Sequence, residues 1–519
     1  MRRTILHIIL ISGWLLGITS TSAQLSSYQL PDAVKKELKR IEETYRILEQ
    51  FSEQVWPGWK DYRDFPFKIE FDNGLVVLTG HPKPPEGFER IDNYKVAGRD
   101  VYADRRNLSS LPLNYPFTGG GGLIPYGYDT TGKMINIVNL RLNSFPADSI
   151  VKRSDAITEK QILIYIHELF HGFQKSIMEY RAGNLQYNPD VNYAIYSCIE
   201  GRALANAYRE KDDAKAVGFL KDFVEARKLK VSKSMTDLES RQESDDDLME
   251  GTANYSEIRI LELLSKGYSP GILSEEDPAC NGFRETSGLL KSLFTDQLDQ
   301  NAIWMSEAKF KCYSYGCAQA LMLQRLFNGW QDSVTLKKKY LSETIRGFLP
   351  MTKEECETSE ARFRTLYGID TIAERAKREI GERDQAVLSI VNRKGQSYIL
   401  NFKPIHYYVT SVKNENKFRL GLTEAYPEGF GKLTISDIEV TGLDTIPVEK
   451  NQLFYLKIVD TSPPKGEKPY SIRCDKMEGD SVYFNAVITS PLFTIKAPKV
   501  AIKESKGRVK FTFLSRVKE

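Results

Sequence analysis

The sequence predicts an α+β protein in three parts: a small N-terminal α/β part with antiparallel strands, a mainly helical middle, and a C-terminal all-β, sandwich-like domain. Three observations lead there. Apolar residues recur every three or four positions over 32–55 and almost throughout 158–380. They alternate around turn residues over 66–78, near 100–103 and over 134–142. Beyond Gln385, short alternating runs are separated by Gly, Pro, Asp and Asn. A chain of 519 residues has room for roughly two to four domains with real cores. Hydrophobic residues are 41% and charged residues 27%, a globular mixture that excludes extended disorder and a membrane bundle. Lys plus Arg number 72 and Asp plus Glu 69, so the net +3 supplies no field that points to nucleic acid.

In chain order, Arg2 and Arg3 precede the apolar run Ile5 to Ile18, and small residues follow through Thr21-Ser22-Ala23. This is the build of a secretory signal, so residues 1–23 are expected to be removed, with the mature chain starting at Gln24. The run is short for a membrane span, and no cysteine follows it for lipid attachment. The expectation is an exported protein, periplasmic, cell-surface or secreted, with no transmembrane span after signal removal. The rest divides into 24–154, a helical part 155–383, and a β domain 384–519.

Val34, Leu38, Ile41, Tyr45, Leu48 and Phe51 make 32–55 an amphipathic helix. Next, 66–71 and 75–78 flank Asp72-Asn73-Gly74, a strong hairpin signal. The run Gly119 to Gly122 lacks the strand-loop-helix context of a phosphate loop and is expected to be a flexible turn or a lip beside a cleft. The strand 134–142 could pair with an extended peptide along a cleft edge. Strands are expected at 397–402, 432–440, 453–459, 481–487 and 508–514. The six cysteines, Cys198, Cys280, Cys312, Cys317, Cys356 and Cys474, contain no Cys-x-x-Cys, and Cys312 and Cys317 fall on different helix faces, which disfavours a cysteine zinc site.

Residues 167–171 read His-Glu-Leu-Phe-His. Thr158 and Gln161 form a Thr-x-x-Gln capping box, so a helix should start there and run through both histidines. Positions i and i+4 share a helix face, which sets His167 and His171 side by side as two ligands for one zinc ion. Glu168 follows directly, where its carboxylate can serve as general base toward water at the metal. A catalytic zinc takes a third protein ligand. Glu250, in Glu250-Gly251-Thr252-Ala253-Asn254-Tyr255, is favoured, because Asn254 one turn later can support a ligating histidine. Glu200, in Glu200-Gly201-Arg202-Ala203-Leu204, is the alternative ligand or a residue lining the site, able to bind a substrate amine. The acidic cluster Glu243, Asp245, Asp246 and Asp247 is expected just before the Glu250 helix, with Ser244 and Asp247 as its cap. Its spacing is not that of a calcium loop.

His167-Glu168-x-x-His171 followed by Glu250-Gly251-x-Ala253-x-Tyr255 resembles the gluzincin type of zinc metallopeptidase, the aminopeptidase N-related superfamily. Tyr313-Ser314-Tyr315-Gly316 is similar to that superfamily's Tyr-x-x-Gly helix start. The resemblance covers roughly 155–330. It implies a gluzincin-like catalytic part with one zinc ion per chain, held by His167, His171 and Glu250. It implies Glu168 as general base and Tyr313, with Tyr315 as substitute, stabilising the oxyanion. The expected function is an exported zinc metallohydrolase, a peptidase acting on peptide or protein substrates. The alternatives are a catalytically silent metallopeptidase-like binding protein whose β domain docks glycans or proteins, and a zinc hydrolase acting on a non-peptide amide or ester.

Overall fold

The computed structural model describes residues 30–71, 74–104, 117–144, 157–178, 190–271, 311–401, 418–420, 423–426, 432–435, 438–443, 448–451, 455–460, 469–505 and 508–514, with Phe283 and Leu298. The expected signal sequence and Cys280 lie outside the described residues. The chain forms two units, one from Met1–Ile177 with Ser256–Leu289 and the other from Met178–Tyr255 with Leu290–Glu519. The segment 155–383 is thus shared between them. No helix among the described residues is long and apolar enough to cross a membrane.

In the first unit, helix α1 (Asp32–Val55) spans the predicted range. Val34, Leu38, Ile41, Tyr45 and Leu48 are buried, as one face of a 3.6-residue repeat must be when it meets a core. Each such side chain gains about 1.5–3 kcal/mol by burial. The predicted hairpin is β1 (Phe67–Phe71) and β2 (Val76–Thr79), antiparallel, with Phe67 opposite Thr79 and Ile69 opposite Val77. Gly74 takes a φ of +89°, open to glycine at no steric cost, and its N–H donates to the Phe71 carbonyl. With β3 (Phe88–Val96), β4 (Arg99–Asp104), β5 (Phe117–Tyr128) and β6 (Met134–Ser144), the sheet order is β3-β4-β2-β1-β6-β5. The β1–β6 pair is parallel and the others are antiparallel.

Two expectations change here. The strand expected to pair with a peptide, β6, is flanked on both sides by β1 and β5, so its backbone groups are already taken. The edge strand beside β6 is β5, and Gly119 to Gly122 lie inside it, opposite Leu142 to Asn139, rather than in a turn.

Helix α2 (Ile157–Ile177) buries Ile162, Leu163, Tyr165, Ile166, Leu169 and Phe170. Phe170 meets the rings of Trp56 and Trp59 at 5.5 and 4.9 Å. Thr158 stands at the start of this helix, and its hydroxyl accepts from Arg40 Nη2 at 2.8 Å. Arg40 Nη1 donates to Glu37 at 2.9 Å, so a buried arginine ties α1 to the start of α2.

In the second unit, α3 (Val191–Arg209) starts at Asp190, whose side chain accepts from the Tyr193 N–H, and α4 (Asp213–Ser234) starts at Asp212 in the same way. Helix α5 (Asp237–Leu264) is unbroken and passes from this unit, through Tyr255, into the first. Thr236 and Glu239 form its capping box, through Thr236 N–H to Glu239 Oε2 and Glu239 N–H to Thr236 Oγ1. The acidic cluster therefore sits inside the helix, and Ser244 and Asp247 do not cap it. Helix α6 (Lys311–Leu326) and shorter helices lead to the helix Ile369–Val391.

The C-terminal strands are β7 (Gln396–Asn401), β8 (Phe418–Leu420), β9 (Thr423–Tyr426), β10 (Lys432–Ile435), β11 (Ile438–Thr441) and β12 (Val448–Asn451). There follow β13 (Tyr455–Asp460), β14 (Ser471–Arg473), β15 (Lys476–Glu478), β16 (Val482–Thr489), β17 (Thr494–Ser505) and β18 (Arg508–Phe513). Hydrogen bonds join them in the order β10-β11-β17-β18-β7-β13-β12-β9-β8, with β16 on β17 and both β14 and β15 on β16. All pairs are antiparallel except β18–β7. Tyr398, Leu400, Ile488, Ile495, Val500 and Phe511 belong to one apolar cluster among the described residues. Cys198, Cys312, Cys317, Cys356 and Cys474 are free thiols.

Candidate metal centre

Helix α2 carries both histidines one turn apart, with ring centroids 4.6 Å apart and planes at 85°. Each ring is held by its Nδ1. His167 Nδ1 lies 2.6 Å from Glu257 Oε1, and His171 Nδ1 lies 2.6 Å from Gln174 Oε1. An oxygen acceptor at Nδ1 fixes the proton on that nitrogen and leaves Nε2 as the lone-pair donor, the arrangement a metal-ligating imidazole needs.

Glu257 lies on α5, and Glu250 lies seven residues earlier on the same unbroken helix, on the same face and about 10 Å along the axis. One ligand atom from each of His167, His171 and Glu250 lies within 4.8 Å of the others. Two imidazole nitrogens and one carboxylate oxygen are the donor set of a catalytic zinc that keeps one position open.

Glu168 is 7% exposed. Edge strand β5 passes close to it: a Cβ built on Gly121 would lie 3.0 Å from Glu168 Cγ, 3.3 Å from its Cδ and 2.9 Å from Leu140 Cδ2. Only glycine leaves Glu168 its place.

Where α5 meets α6, the backbones touch. A Cβ on Gly251 would lie 2.3 Å from Gly316 Cα, and one on Gly316 would lie 2.0 Å from the Asp247 carbonyl oxygen. The Glu-Gly and Tyr-x-x-Gly patterns thus share a packing cause. Asn254 Nδ2 donates to the Tyr313 carbonyl at 3.1 Å, so Asn254 braces α6 rather than a histidine; the histidine partners are Glu257 and Gln174. Tyr313 is half-buried. Tyr315 is not available as its substitute, because its hydroxyl donates to the Ser197 carbonyl at 2.7 Å and burial holds that hydroxyl well above the usual tyrosine range.

Glu200 is placed elsewhere. Its carboxylate accepts from Arg227 Nε at 2.6 Å and Lys230 Nζ at 2.5 Å, fully buried. Lys230 and Lys311 also donate to Glu243, at 2.5 and 2.6 Å, and Arg227 Nη2 donates to Asp247 at 2.8 Å. Burial alone would raise the Glu243 pKa, but Lys230, Lys311 and Arg227 together hold it well below the ordinary carboxylate range. Glu200, Glu243 and Asp247 are thus matched by three cations, which makes this an internal ion cluster and neither a calcium site nor part of the metal centre. The look-alike Glu200-Gly201 also has a packing reason, since a Cβ on Gly201 would lie 2.4 Å from the Tyr315 hydroxyl.

The sequence reading missed Glu257, Gln174 and the contact of Gly121 with Glu168. Gln174 could have been found as the i+3 neighbour of His171, and Glu257 as the i+7 neighbour of Glu250. The chain matches no protein-family model, and neither a curated protein nor a solved structure matches it.

Proposed function

We propose that the chain is an exported, zinc-dependent metallohydrolase of the gluzincin kind, a peptidase acting on extended peptide or protein segments. The observation that carries this reading is the convergence of one ligand atom each from His167, His171 and Glu250 within 4.8 Å, with the Nδ1 of both rings committed to oxygen acceptors. Zinc held by these residues supplies Lewis acidity, acidifying water and polarising a carbonyl beside it.

The chain's own residues supply the rest. Glu168 receives the proton of the attacking water and returns it to the leaving amine. Glu257 and Gln174 keep the two imidazoles in one tautomer and one orientation. Tyr313, in the role the resemblance implies, donates its hydroxyl to the developing oxyanion. Strand β5 pairs with β6 alone among the described residues, so its outer backbone groups can receive an extended peptide next to Glu168. That edge favours a peptide over a small amide or ester.

The test is turnover of a peptide library by wild type and Glu168→Gln. The reading predicts cleavage by the wild type and its loss in the variant with metal content unchanged. Equal cleavage by both would remove Glu168 from the chemistry.

A further inference from the structure

The C-terminal sheet has one face turned to its apolar cluster, through Ala486, Ile488, Val500, Ile502, Val509, Phe511 and Phe513. The opposite face of β15, β16, β17 and β18 carries Lys476, Lys499, Lys503, Arg508 and Lys510, four of them exposed and Lys499 half-buried. None of the five has an ion-pair partner among the described residues. Lys503 stands directly opposite Lys510 in the antiparallel β17–β18 pair, and Arg508 precedes Lys510 by two residues on the same face. Lys476 and Lys499 both stand opposite Phe484, their ammonium groups 5.6 and 4.9 Å from its ring centroid. Like charges directly opposite in a sheet are destabilising, so this layout costs stability unless something anionic lies across it.

The acids nearby do not serve. Glu504 accepts from the Tyr470 hydroxyl, and Glu439 is taken by Lys496 at 3.6 Å. Glu478, two residues from Lys476, is the one carboxylate in these four strands on the same face.

We infer that this sheet face is a binding surface for an acidic polysaccharide. Charge complementarity sets the sign of the partner, and the texture of the face sets its class. Lys503 and Lys510 lie on adjacent strands about 5 Å apart, and Lys476 and Lys499 lie two strand spacings apart across β16, roughly 10 Å, so the cations step across the sheet at one and two times a spacing on the scale of sugar rings along a chain. Single-stranded nucleic acid is held on rows of aromatic platforms, whereas Phe484 is the only ring here and two ammonium groups already share it. A bilayer surface requires several large inserted apolar side chains, whereas between these cations the half-buried Phe484, already shared by two ammonium groups, is joined only by Val482, Ala501 and Thr512 among the described residues. The inference is independent of the metal centre.

The test is binding of the full-length protein to fluorescently labelled polygalacturonate and dextran sulfate, with uncharged dextran, oligothymidylate and anionic phospholipid vesicles alongside. Saturable binding to the acidic polysaccharides at low salt is expected, weakened by added salt and absent for uncharged dextran. The exposed double variant Lys503→Glu/Lys510→Glu should lose about tenfold or more in affinity, and Lys476→Gln/Lys499→Gln a smaller part, with circular dichroism unchanged. No binding at low salt, binding indifferent to both variants, or tighter binding of oligothymidylate or vesicles would overturn the proposal.

Discussion

Glu257 Oε1 lies 2.6 Å from His167 Nδ1, so a carboxylate two helical turns beyond Glu250 fixes the orientation of the His167 ring. In the proposed centre one helix thereby supplies both a ligand and the group that orients another. Glu257→Gln keeps the shape and removes the charge, and zinc affinity should fall roughly 10–100-fold. Competition with a chelator of known affinity measures it. Unchanged affinity would mean that the contact is incidental.

Gly121 is close enough to Glu168 that a single methyl group must displace it. Gly121→Ala is expected to lower kcat by about tenfold while leaving the zinc content at that of wild type, since it shifts Glu168 by a few tenths of an ångström and a full ångström of misplacement costs about 10²-fold. Steady-state kinetics beside elemental analysis separates this from loss of metal.

Tyr313 and Tyr315 stand two residues apart and should behave differently. Tyr313→Phe should lower kcat by about 10²–10³ with stability unchanged. Tyr315→Phe strands the Ser197 carbonyl and should cost about 1–3 kcal/mol of stability, with kcat per folded molecule retained. Denaturant titration and kinetics on both variants check the contrast.

The ion cluster behind α5 predicts a stability effect without chemistry. Glu243→Ala leaves Lys230 and Lys311 buried without that carboxylate and should cost about 3–5 kcal/mol. Urea unfolding of wild type and variant measures it, and a loss below 1 kcal/mol would contradict the cluster's role.

Much of this was legible in the sequence because the relevant physics is local. The repeat Val34, Leu38, Ile41 gave α1 to the residue, and Asn73-Gly74 gave the β1–β2 hairpin. His167, Glu168 and His171 follow from helix geometry alone. The rest depends on neighbours distant in the chain. The glycines of β5 read as a turn, because nothing local says that Leu140 and Glu168 will press against them. The acids of 243–247 read as a helix start, because their compensating cations lie on α4 and α6. Glu200 and Glu250 looked alike because each precedes a glycine that packs closely against α6. Only the tertiary placement of Arg227 and Lys230 separates them.

The most direct measurement is the zinc content of purified wild type, Glu250→Ala and Glu200→Gln, by elemental analysis after mild dialysis. The account predicts one zinc per chain in wild type, its loss in Glu250→Ala and its retention in Glu200→Gln. A wild-type protein that holds no zinc and takes none up, or zinc that depends on Glu200 and not on Glu250, would contradict it.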